Sequence, residues 1–122
     1  MASVTNVNDR KLLWENPNPT TGFAQQEITL SSDDYSYLEI YYACGPSANT
    51  NVYQNCHKVP KGFGTMIYTL GTKSAGVYVA SRIIAFVSNT KYLVYSCTQQ
   101  TGTGAESTNN NLLIPQKVYG IK

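Results

Sequence analysis

Apolar and polar residues alternate along most of this chain, and they almost nowhere recur at the spacing of a helix. No window of twelve residues carries an apolar stripe flanked by helix start and stop signals. The alternation predicts strands instead. Residues 11–14 read as a short opening strand, and residues 25–30 put Ile28 and Leu30 on one face. Residues 37–44 put Leu38, Ile40, Tyr42 and Cys44 on one side and Tyr37, Glu39 and Tyr41 on the other. Glu39 marks that second side as the wet one.

Gly45-Pro46 breaks the chain, and residues 52–59 form the expected return strand. Pro60, Gly62 and Gly64 break it again, before a strand over 64–70 that Gly71 is expected to close. Residues 77–87 are long and strongly apolar, with Arg82 their only charge. Such a run suits a strand buried on both faces, or one passing between sheets. Asn89-Thr90 predicts a tight turn into a partner strand over 91–98. Residues 99–111 hold no large apolar side chain and read as an exposed loop. The closing strand spans 112–121, where Pro115 demands either an edge position or a bulge. About eight strands separated by turn residues predict an all-β fold, an antiparallel, jelly-roll-like β-sandwich. Residues 1–10 are expected to be a flexible polar arm, and residues 11–122 one domain.

Composition sharpens this picture. Charged residues make up 13% of the 122, about half the globular average, and ten tyrosines stand against three phenylalanines. Tyrosine suits sheet faces and interfaces, where the ring packs and the hydroxyl stays wet. The net charge of +2 is small and spread from Arg10 to Lys122, which argues against nucleic acid. No apolar run reaches the ~18 residues of a membrane helix, so no membrane insertion is expected. The polar opening lacks the apolar core of a signal peptide, which predicts folding in a reducing cytosol. Three cysteines, an odd number, argue against a disulfide framework. A Cys44–Cys56 pair across a hairpin stays open at this level.

Candidate chemistry is sparse. His57 is the single histidine and follows Cys56, but neighbours on a strand point to opposite faces, so the two should not form a nucleophile–base pair. One close pair of ligands is too few for zinc. Asp33-Asp34 reads as a solvated turn, and Glu15, Glu27, Glu39 and Glu106 have no reason to converge. Gly62-Phe63-Gly64 lacks the context of a phosphate loop. The expectation is a non-enzyme with no metal and no cofactor. Aromatic residues remain the lead: Trp14, Phe23, Tyr41, Tyr53, Tyr78 and Tyr95 are the candidate contacts for an interface or a glycan. Asn55, Asn109, Asn110 and Asn111 suit either ligand contact or turns.

Two segments carry a resemblance. The first is Leu13-Trp14-Glu15-Asn16-Pro17-Asn18-Pro19-Thr20, followed by Phe23-Ala24-Gln25-Gln26, Ile28-Thr29-Leu30 and Tyr37-Leu38-Glu39-Ile40-Tyr41-Tyr42. The second is Leu113-Ile114-Pro115 followed by Val118-Tyr119-Gly120-Ile121-Lys122. Together they resemble a module of tailed-bacteriophage virion proteins, found in small tail, fibre or head-fibre proteins and at the tips of longer ones. The likeness covers about forty residues at the two ends and leaves residues 43–111 unmatched. It implies a virion structural protein, made in the cytoplasm of the host bacterium and often multimeric. Its partners would be copies of itself and other virion proteins, with a role in assembly and in host attachment. It implies no catalytic set. The alternative is a carbohydrate-binding module for bacterial surface glycans. Within the motif, Pro17 and Pro19 stiffen an extended segment that Trp14 and Phe23 bracket. That pair is expected to seal one end of the sandwich or to dock on a neighbouring subunit.

Overall fold

A computed structural model describes residues 9–44, 54–73, 76–102 and 104–122. Among these residues ten strands make two antiparallel sheets. β1 (Arg10–Glu15), β10 (Ile114–Ile121), β3 (Tyr37–Ala43) and β4 (Gln54–Pro60) form a four-stranded sheet in that order. The second sheet is built around the thirteen-residue β6 (Gly76–Ser88). On one side β6 pairs along its length with β5 (Thr65–Lys73). On its other side it pairs first with β8 (Thr98–Thr101) and then with β7 (Lys91–Val94). β2 (Gln26–Thr29) pairs with β7, and β9 (Glu106–Thr108) with β8. The fold is the expected sandwich, with ten strands rather than about eight, and the strand order does not confirm a jelly roll.

Side chains alternate as the sequence pattern requires. Leu38, Ile40 and Tyr42 of β3 are buried with Val118 of β10 and Val59 of β4. They meet Ile28, Ile67, Ile84, Tyr92 and Val94 of the second sheet in one core. The Asn89-Thr90 turn joins β6 to β7 as expected. Pro115 sits at a register shift, and the bulge lets β10 take a central place despite the missing donor.

Three expectations need correction. Gly71 does not end β5, because the Tyr78 ring of β6 lies over it, and an added Cβ would stand 2.2 Å from that ring. An aromatic ring laid across a strand glycine replaces the packing the glycine lacks. Residues 99–111 are not simply a loop, since β8 and β9 form a polar hairpin there. β9 is wholly exposed, so its ladder needs no apolar side chains, and Asn109 covers the buried Gln99 with a 2.9 Å hydrogen bond. Arg10, assigned above to a flexible arm, is the first residue of β1.

The two ends of the chain lock together. Trp14 opposes Val118 and Glu15 opposes Lys117 across β1 and β10. Beyond them the buried Asn16 side chain donates to the Pro115 carbonyl at 2.8 Å and accepts from the Asn18 amide at 2.8 Å. The Asn16 amide donates to the Gln116 carbonyl at 2.9 Å, and Gln116 Nε2 donates to the Pro19 carbonyl at 3.0 Å. Asn16 thus shapes the Asn-Pro-Asn-Pro segment and ties it to the bulge. Trp14 and Phe23 meet edge to face at 6.0 Å, and Phe23 is 5% exposed, so the pair seals this end of the sandwich. Replacing Asn16 with Ala strands the Pro115 carbonyl. The expected loss is about 1–3 kcal/mol in urea denaturation, with an unchanged urea dependence.

Candidate functional site

Among the described residues the polar candidates of the sequence do not gather at one place. Cys56 opposes Tyr41 on the outer face of the four-stranded sheet, while His57 turns inward to share a 2.7 Å hydrogen bond with Thr65 of β5. The two diverge as strand geometry requires. Among the described residues no group of three or more His, Cys, Asp or Glu side chains is placed to hold a metal. All three cysteines are free, and Cys44 packs on the core instead of facing Cys56. Burial pushes all three thiols above the ordinary cysteine range. Their thiolate fraction at neutral pH is therefore low. Cys97, fully buried, is expected to resist alkylation until the protein unfolds, as mass spectrometry after iodoacetamide treatment at pH 8 would read.

The sandwich has two contrasting outer faces. On the four-stranded sheet, Arg10 lies 3.6 Å from the Tyr119 ring centroid and donates to Glu39 Oε1 and to the Tyr41 hydroxyl, both at 3.0 Å. Tyr41 and Tyr119 meet edge to face at 5.6 Å. Lys58 lies 3.9 Å from Glu39, and Lys117 lies 3.7 Å from Glu15. This face is polar, cationic and aromatic.

The outer face of β5 and β6 is the opposite. Met66 stands across from Ile83, Leu70 from Val79, and Tyr68 from Ser81. Val77 and Val87 extend the row along β6, with Tyr95 beside it. These eight large apolar side chains are each 38–70% exposed. No charged side chain points outward from β5 or β6 between Met66 and Val87 among the described residues. A shallow hollow of about 280 Å³ opens between Met66, Ile83 and Tyr95. The expectation that residues 77–87 are buried on both faces or pass between sheets is therefore corrected, since β6 stays in one sheet. Their inner face, with Tyr78, Ala80, Arg82 and Ile84, is buried, and their outer face is bare.

The aromatic candidates do not converge. Phe23 and Tyr78 are buried, at 5% and 4% exposure, and Trp14 packs against the core, so these three are structural. Tyr41 lies on the polar face and Tyr95 on the apolar one. Tyr53 falls outside the described residues. The asparagines of residues 109–111 work inside the fold. Asn110 Oδ1 accepts from the Cys97 amide at 2.9 Å, and Asn109 Oδ1 from the Asn111 amide at 3.1 Å. The apolar face was missed because a strand with hydrophobic residues on both sides reads the same whether its cover comes from its own chain or from another. Comparison with family models, with curated proteins and with solved structures returned no match in any of the three.

Proposed function

We propose that this chain is a structural subunit of a tailed-phage virion, a part of the tail, a fibre or the capsid exterior. It acts by assembly rather than by catalysis. The observation that carries this reading is the bare apolar face of β5 and β6. Eight side chains at that exposure present on the order of 700 Å² of surface, close to the ~800 Å² that one partner brings to a standard interface. The largest apolar patch on an ordinary monomer is about 300–600 Å². The occupant that fits is a second copy of this chain. The face is self-complementary in chemistry, apolar and uncharged, and copies of one protein meet through identical patches related by symmetry. The joined terminal motifs add support, since the segments that resemble the virion module close one end of the domain together.

Placement in a particle is tested by peptide mass spectrometry on purified phage carrying this gene. The expected result is a constant copy number per particle that persists through gradient purification. Absence of the chain from infectious particles would remove the virion reading.

A further inference from the structure

The opposite face carries a second feature, independent of assembly. A hollow of about 380 Å³ lies on the outer side of the four-stranded sheet, lined by Arg10, Tyr41, Gln54, Gln116, Lys117 and Tyr119. Its volume falls within the ~300–1,000 Å³ range of small-ligand sites. Two of its lining residues are cations, two are phenols, two are carboxamides and none is acidic. We propose that this hollow binds a saccharide bearing a carboxylate, such as a uronic acid unit of a surface polysaccharide.

The chemistry of each group leads there. Arg10 is fixed from several sides by Tyr119, Glu39 and the Tyr41 hydroxyl, through Nε and one terminal nitrogen. Its other terminal nitrogen donates no hydrogen bond to any described residue, which leaves two N–H groups for a ligand oxygen. Lys117 has a side chain 44% exposed, and its partner Glu15 is held only at 3.7 Å, so its ammonium can turn to a stronger acceptor. The nearby carboxylate of Glu39 is matched already by Arg10 and Lys58. An incoming carboxylate therefore meets net positive charge. Gln116 spends its amide nitrogen on Pro19 and Ile114, but Gln54 is exposed at the edge strand and can both donate to and accept from sugar hydroxyls. The tyrosine pair sets apolar ring carbons beside these polar groups, the mixture that a pyranose itself presents, although Arg10 already stacks on Tyr119. The scaffold is preformed, since all six lining residues lie on the paired strands β1, β3, β4 and β10.

The test is a titration of the intact protein, followed by the NMR signals of the Tyr41 and Tyr119 rings, with D-glucuronate, D-glucose and acetate as the probes. Saturable shifts with glucuronate, weaker ones with glucose and none with acetate are expected. Lys117→Gln should weaken glucuronate binding by about fivefold, the effect of one partly exposed charge contact. Gln54→Ala should weaken both sugars alike. Both positions are exposed or half-exposed, so both variants should keep the wild-type spectrum elsewhere. No saturable shift with glucuronate would overturn the proposal, as would shifts that both variants leave unchanged. Acetate acting as strongly as glucuronate would overturn the saccharide assignment.

Discussion

Replacing Arg82 with Met is expected to cost about 3–5 kcal/mol and to lower the melting temperature by about 15 °C. Arg82 is 1% exposed and has no carboxylate beside it. Its guanidinium instead holds four backbone carbonyls. Nη1 donates to Phe23 at 2.9 Å and to Tyr95 at 2.8 Å, and Nη2 to Leu112 at 3.0 Å and to Asn110 at 3.4 Å. Those carbonyls belong to three separate connections: the stretch before β2, the break between β7 and β8, and the corner leading into β10. The Phe23 ring, 5.7 Å away, adds its face to the cation. Burial draws the guanidinium down to a pKa of about 10, which leaves it fully charged at neutral pH. Met fills most of the volume but donates nothing, so the Phe23, Tyr95 and Leu112 carbonyls lose the arginine while staying shut from water, and the Asn110 carbonyl keeps only the Phe23 amide at 2.9 Å. Leu113 in the same corner adopts a left-handed backbone at φ 50°, a conformation that needs outside support. Lys in place of Arg reaches fewer of the carbonyls and should fall between the two. Urea denaturation of the three proteins checks the order wild type, Lys, Met.

That buried rivet was not legible in the sequence, and the reason is physical. A lone charge in an apolar strand has no local signature for which carbonyls will meet it, because they come from residues 13 to 59 positions away. Period-two alternation, by contrast, is local, and it placed Leu38, Ile40 and Tyr42 inward and Tyr37, Glu39 and Tyr41 outward, as the fold has them. Pro115 announced its bulge because a missing donor constrains a strand wherever it lies. The β8–β9 hairpin has no apolar signature because it takes its support from the β6 backbone and from Asn109 and Asn110, leaving Thr, Gln, Glu and Ser on its strands. Aromatic residues serve cores and surfaces equally, so aromatic character alone does not separate Phe23 and Tyr78, which lie in the core, from Tyr41 on the polar face, nor does it point to Arg10 beside Tyr119. The polar hollow depends on cross-strand neighbours from β1, β3, β4 and β10, whose order only the fold supplies.

The second large effect concerns association. A Leu70→Lys, Ile83→Lys double variant is expected to weaken self-association at least 100-fold while leaving stability within about 0.5 kcal/mol of wild type. Leu70 is 70% exposed and Ile83 50% exposed in the single chain, so lysine in either place stays in water and the core is untouched. In a joined pair the same positions lie within the apolar contact. There two ammonium groups per chain would be desolvated without a partner, and the apolar burial of Leu and Ile, about 1.5–3 kcal/mol each, would be lost. A matched substitution on the polar face, Lys58→Glu, should leave association unchanged. Sedimentation velocity beside thermal melting separates the two effects. If the double variant unfolds, the positions support the fold rather than a contact.

The most direct test of the assembly account is the solution mass of the wild-type chain, read by multi-angle light scattering across a wide range of concentration. The account predicts a defined multiple of the 13.4 kDa chain mass that falls to one chain in the double-lysine variant. A wild-type mass of one chain at every concentration would contradict it.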